Sequence, residues 1–186
     1  MTNTESPKIT GQSTTATTPP VGPRRASLEI SYEPLLAEQI RALRTQVGLA
    51  GDAQASFPFG VTFSIPDDDT WQFFKAVLGK IQPLTLTLPR VEAQVEGRQT
   101  YRAGWRIDDD SQDQLRRMRA GLIASLKSAP VDLVPLGSLL LVADNVSAGA
   151  FPALIAAMQR DFEPITWAIN TVRLVEEPTE TKTTSS

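Results

Sequence analysis

Phe57-Pro58-Phe59-Gly60-Val61-Thr62-Phe63-Ser64-Ile65-Pro66 sets large apolar residues against small or hydroxyl-bearing ones. Its second half, Gly60 to Ile65, reads as a short strand that Pro66 closes. A second stretch, Val134-Pro135-Leu136-Gly137-Ser138-Leu139-Leu140, places Ser138 at the start of an apolar strand spanning Leu139 to Val142. Each is followed by a helical pattern. After the first, Asp69-Thr70 offers an N-cap to a helix carrying Trp71, Phe74, Val77, Leu78 and Ile81. After the second, a helix from about Ala148 to Phe162 has Pro152 in its first turn, where the missing N–H costs little.

Working outward, Leu28-Glu29-Ile30-Ser31-Tyr32 alternates as a half-buried strand does. Leu35, Leu36, Ile40, Leu43 and Val47 follow at helical spacing, and Gly48 ends that helix. Leu84 to Leu88 has a clean period of two and is expected to run on past Pro89 through Val91 to Val95. Gly97 marks a turn, and Tyr101 to Ile107 reads as the antiparallel partner. Leu115, Met118, Leu122, Ile123 and Leu126 define a third amphipathic helix, and Ile165 to Val175 is the last strand. Interspersed helices and hairpin-capable strands imply an α+β protein, a sandwich of small antiparallel sheets with helices outside.

Three segments divide the chain. Residues 1–26 are rich in Thr, Ser, Pro and Gly and cannot bury enough surface to offset their ordering entropy, so a disordered arm is expected there. Residues 27–176 form the domain, and 177–186 a polar, flexible tail. Arg24-Arg25-Ala26-Ser27 has the form of a basophilic kinase site, and equally that of a basic pair flanking a domain.

At 186 residues the chain is long enough for one ordinary domain with a real core. A net charge of -3 gives no global attraction to nucleic acid or to an anionic membrane. No apolar run approaches the roughly 20 residues that span a bilayer. The N-terminus shows no apolar h-region, so a cytoplasmic or nuclear protein is expected. There is no histidine and no cysteine. Ser-His-Asp and Cys-His catalysis are therefore excluded, as are disulfides and the usual zinc sites. The triplets Asp67-Asp68-Asp69 and Asp108-Asp109-Asp110 each precede a helix, where aspartate caps free N–H groups, so no metal is expected.

The element order, with the two quoted stretches at two particular strands, resembles the 2H phosphoesterase superfamily, which includes 2′-5′ RNA ligase-like proteins and cyclic nucleotide phosphodiesterases. The resemblance implies a two-lobed sandwich with a central cleft. In that family each lobe contributes a strand bearing His-x-Thr or His-x-Ser. One imidazole serves as base and the other as acid on a phosphodiester, and the hydroxyls hold phosphate oxygens.

In this chain Thr62 and Ser138 stand at the hydroxyl positions, and Gly60 and Leu136 stand where the histidines would be. Residues i and i+2 of a strand share a face, so the face expected here keeps its hydroxyls without a group that titrates near pH 7. General acid–base help is worth about 10² to 10⁴-fold per group, which makes the chain a degenerate member of the family on this reading. Arg102 and Arg106, with Gly104 between them, share a strand face and are expected to hold phosphate in the cleft, or else to be solvated. Arg116, Arg117 and Arg119 read as a solvated helix face or as a contact for RNA or an acidic partner. Tyr32, Tyr101, Lys75, Lys80, Arg90, Arg102, Arg106 and Arg173 are available in principle to stand in, although an arginine could bind phosphate but not act as base.

Three functions stay open on the sequence. The first is a binding or scaffold module for an RNA end, a nucleotide or a protein partner, needing no cofactor. The second is a phosphodiesterase acting on 2′,3′-cyclic phosphates or 2′-5′ linkages with a relocated acid and base. The third is an interaction protein with a closed groove.

Overall fold

The computed structural model describes residues 23–51, 54 and 56–177. The expected arm therefore falls, for residues 1–22, outside the described residues, as do residues 178–186 of the tail. Strand β1 (Arg24–Ser31) runs into helix α1 (Pro34–Gln46), followed by β2 (Ser56–Ile65) and α2 (Asp68–Leu78). Next come β3 (Leu84–Leu88), β4 (Arg90–Val95), β5 (Thr100–Arg106) and α3 (Asp109–Leu126). The chain continues through β6 (Asp132–Leu133), β7 (Leu139–Ser147), α4 (Phe151–Gln159), β8 (Ile165–Ile169) and β9 (Val172–Glu176).

The described strands form three antiparallel sheets, in the orders β6-β2-β1-β9, β3-β8 and β4-β5-β7. Helix α2 lies on the four-stranded sheet, where Phe74 meets Phe63 edge to face at 5.3 Å. Helices α1 and α4 lie together against the three-stranded sheet. The two-stranded sheet joins these lobes through its own chain: β3 runs on into β4 past Pro89, and β8 runs on into β9 past Asn170-Thr171. One apolar cluster continues through all of it, from Ala26, Leu28 and Ile30 through Leu86, Leu88 and Trp167 to Leu140 and Val142.

Several expectations are corrected. β1 begins at Arg24, four residues before Leu28, and Ala26 is in phase with the buried Leu28 and Ile30. Composition hid this because Arg24 and Arg25 are tied to residues far away in sequence. Arg24 pairs with Asp68 and Glu176 and lies 4.5 Å over the Trp71 ring, while Arg25 pairs with Asp132 and Glu177. Ser27, the acceptor of the kinase-like motif, sits in a central strand between Thr62 and Val175. A backbone paired on both edges is no extended kinase substrate.

The single strand expected from Leu84 to Val95 divides at Pro89, which has no N–H for a continuous ladder. The single strand expected from Ile165 to Val175 divides in the same way, with its halves in different sheets. Leu35, counted on the buried helix stripe, is exposed, and α1 is anchored by Leu36 and Ile40 instead. The caps expected of the last aspartate of each triplet, Asp69 and Asp110, come instead from the first: Asp67 accepts from the Thr70 N–H and Asp108 from the Ser111 N–H, each at 2.7 Å, because each helix starts two residues earlier than its apolar period suggests. The two aspartates that follow lie in the first turn, where they complement the helix dipole. The two-stranded sheet has its outer edges covered by side chains, since Ser111 accepts from the Thr87 N–H and Glu33 from the Ala168 N–H.

Candidate functional site

A recess of about 390 Å³ lies where the two larger sheets face each other. Register explains its walls. On β4 and β5, Gln94 pairs with Arg102, and on β7, Leu141 lies across from Gly104 and Leu139 across from Arg106. Alternation sends Leu140 and Val142 into the core, while Leu139 and Leu141 line the recess with Gln94 and Arg102. Gly104 is what lets β7 come this close, because a Cβ there would collide with the Leu140 carbonyl oxygen.

The opposite wall comes from the four-stranded sheet and the loop before β7. Phe57, Pro58 and Tyr32 contribute from that sheet, and Pro135, Leu136, Gly137 and Ser138 from the loop. β2 tolerates Pro58 because its outer neighbour β6 spans only Asp132–Leu133, opposite Val61 and Thr62, so the strand is an edge at Pro58.

Between Thr62 and Pro58, β2 bulges out of register with β1, and Gly60 takes the left-handed φ of 65°. A Cβ on Gly60 would sit 2.7 Å from the Val134 carbonyl oxygen. That carbonyl also accepts from Arg119 at 2.7 Å, and the Val134 N–H donates to the Gly60 carbonyl at 3.0 Å. Arg119 thus clamps the loop carrying Leu136 and Ser138 to the bulge. Burial first, and then the neighbouring Arg116, lower the Arg119 pKa, yet a guanidinium stays charged at any ordinary pH. Of the three helix arginines read as one surface cluster, Arg119 is structural and Arg116 is paired with Asp113.

The structure brings together Ser138, Leu136 and Arg102 in this recess. It does not bring Thr62, Gly60 or Arg106 into its lining. Thr62 is only 9% exposed, and its hydroxyl donates to Glu177 at 3.0 Å. Arg106 is engaged by Asp109 at 3.0 Å, by Glu92 at 3.6 Å and by the Ile107 carbonyl at 3.1 Å. Arg102 keeps one partner, Glu96 at 2.9 Å, and that carboxylate also accepts from the Asn145 N–H. The expected approach of Thr62 to Ser138 on one phosphate is not met. Thr62 keeps its phase with Gly60, since Phe57, Phe59, Val61, Phe63 and Ile65 are buried in unbroken alternation, but its hydroxyl is taken up by Glu177 and it does not share the lining of the recess with Ser138.

Sequence reasoning gave Tyr32 no particular place, and missed Phe57 and Gln94 as lining residues. Gln94 was legible only through its pairing with Arg102 across the Gly97 turn.

Chemically, the recess offers one cation, several hydrogen-bonding groups and apolar walls. Arg102 and Tyr32 are its ionisable lining residues. Burial, and then the Glu29 carboxylate, hold the Tyr32 phenol far above its ordinary value, so it stays protonated. A larger groove of about 530 Å³ lies between α2 and α3, lined by Lys80, Gln82, Gln114 and Ser125 among apolar side chains. Among the described residues no cluster of three metal-ligating side chains occurs, and no helix is long and apolar enough to cross a membrane.

No protein-family model matches the chain, and no curated protein matches it. Among solved structures it is similar to Escherichia coli LigT complexed with 3′-AMP, at 15% identity and a TM-score of 0.43, covering 85% of this chain and 96% of that one. LigT in apo form aligns over the same shares at 15% identity and a TM-score of 0.42. LigT complexed with phosphate does so at 14% and 0.41.

Proposed function

We propose that the chain is a binding module which holds a nucleotide or an RNA end in the recess between its two larger sheets and does not turn it over. One observation carries this reading: Arg102, Ser138 and Gln94 converge on an apolar-walled recess whose lining includes no carboxylate, imidazole, thiol or amine side chain. A guanidinium and a hydroxyl suit a phosphate oxygen, and proline, leucine and phenylalanine suit the flat part of a nucleotide. On this reading the chain is a degenerate relative of the 2H phosphoesterases, with Gly60 and Leu136 at the histidine positions.

The test is a calorimetric titration with a nucleoside 2′,3′-cyclic phosphate, followed by phosphorus NMR on the same sample. Binding weakened about tenfold by Arg102→Gln, with the cyclic phosphate intact after a day, is the expected result; a charge-assisted contact is worth roughly that factor. Turnover abolished by Ser138→Ala would instead establish the phosphodiesterase with a relocated acid and base. A second reading, a protein partner, is favoured by Val131, Leu133 and Val134, which are 49%, 55% and 55% exposed along the short edge strand β6. It predicts that Leu133→Asp abolishes partner capture and leaves nucleotide binding unchanged.

A further inference from the structure

Glu96 stands outside the lining of the recess and is joined to its one cation. Tyr101 pairs with Val146 and Ala103 with Ala143, so β7 carries an extra residue there, and Asp144 and Asn145 both stand opposite Arg102. Asn145 takes the left-handed φ of 50°. A bulge of this kind leaves its extra residue off the ladder, and the Asn145 N–H donates to Glu96 Oε2 at 3.2 Å. The other oxygen, Glu96 Oε1, accepts from Arg102 Nη2 at 2.9 Å. Glu96 reaches both because it directly follows β4 in phase with Gln94, which pairs with Arg102 across the hairpin. One carboxylate therefore ties the hairpin tip, the bulge and the guanidinium together.

This contact also sets the charge that the recess can offer. Arg102 is the only cation among the lining residues. Among the described residues its side chain makes a hydrogen bond only through Nη2, which leaves the donors of Nε and Nη1 for a ligand. Arg106, on the same strand face, is instead taken up by Asp109, Glu92 and the Ile107 carbonyl. An anion at Arg102 meets the attraction of the guanidinium less the repulsion of Glu96 behind it. Attraction grows in proportion to the charge of the anion, whereas the cost of taking that anion out of water grows as the square of its charge. A weakened cation therefore favours one negative charge over two.

We propose that Glu96 is a positioning residue which holds Arg102 at the recess and lowers its pull, so that the site takes a phosphate group bearing one negative charge in preference to one bearing two. This rests on the recess being the binding site. No covalent step is involved.

Two ligands and two variants test it, by calorimetric titration of the full chain. Uridine 2′,3′-cyclic phosphate carries one charge, and uridine 3′-phosphate carries about two at about pH 8. The native protein is expected to bind the cyclic ester more tightly. Glu96→Gln keeps an oxygen for the Asn145 N–H and removes the charge, so little change in Tm is expected. It is expected to tighten the cyclic ester about threefold and the monoester about tenfold, because the repulsion lost is twice as large for two charges. Glu96→Ala also frees the Asn145 N–H, and is expected to keep that order of gains with a clearer fall in Tm. A carboxylate that served the hairpin alone would give no gain in affinity when its charge is removed. Weaker binding of both ligands by Glu96→Gln, or equal factors for the two, overturns the inference and leaves the functional reading standing. Native binding of the monoester as tight as that of the cyclic ester overturns it as well. If neither ligand binds the native protein, both readings fall together.

Discussion

Gly60 shows how a single residue decides what a motif can mean. It stands where the resemblance places a histidine, and its backbone takes a φ of 65° with the Val134 carbonyl against its α-carbon. An L side chain in that conformation costs roughly 1–2 kcal/mol before any collision is counted. Gly60→His is therefore expected to restore no catalysis and to lower the Tm by several degrees in a thermal melt, given about 2–4 °C per kcal/mol for a chain of this size. Unchanged stability would show that the bulge is not needed. Asp67 gives a prediction in pH. The Thr70 backbone N–H first, and its side chain next, hold the Asp67 carboxyl below its ordinary value of 3.8. A depressed native pKa means the contribution is complete above 3.8 and is lost as pH falls through the lower native value. Asparagine caps a helix as aspartate does without titrating, so Asp67→Asn is expected to flatten the dependence of the urea midpoint on pH below 3.8 and leave it unchanged at pH 7.

At the scale of the element, β5 is the strand on which the recess depends. It carries Arg102 on one face and the buried Ala103 and Trp105 on the other, and it holds β4 on one side and β7 on the other. Its pairing with β7 shifts register around Ala103 and Gly104, and Gly104 lies so close to Leu140 that only hydrogen fits. Gly104→Ala is expected to push β7 away and destabilise the fold by about 3 kcal/mol, the upper end of ordinary overpacking. Hydrogen exchange would find the loss in β7 amides such as Leu141 and Ala143, with β1 amides less affected. Equal exchange in both sheets would mean that the close approach is not local in its effect.

Across the whole molecule, the two-stranded sheet holds the recess together, because each of its strands continues into a strand of a different lobe. Trp167 lies at this junction, 1% exposed, against Tyr32 and Phe57. Removing so large a buried side chain typically costs about 3–5 kcal/mol, against a total of roughly 5–15 kcal/mol for a domain. Because one apolar cluster runs through all three sheets, native unfolding is expected to be a single transition in which far-UV dichroism and tryptophan fluorescence coincide. Trp167→Ala is expected to lower the urea midpoint sharply, and to uncouple the two probes if the lobes then unfold separately.

The sequence by itself determined the local features: the periods of the helices and most strands, the acidic triplets at the starts of α2 and α3, the β4–β5 hairpin around Gly97, and the absence of any imidazole or thiol. These depend on neighbours a few residues apart, so alternation, caps and turns carry them. Tertiary structure alone decided that β3 leaves β4 for another sheet, that Arg24 belongs to a strand, and that Thr62 donates to Glu177 while Ser138 borders the recess. Each of those outcomes joins residues far apart in the chain. The bulge at Gly60 is met by the Val134 backbone and by Arg119, and no pattern within β2 records a partner more than fifty residues away.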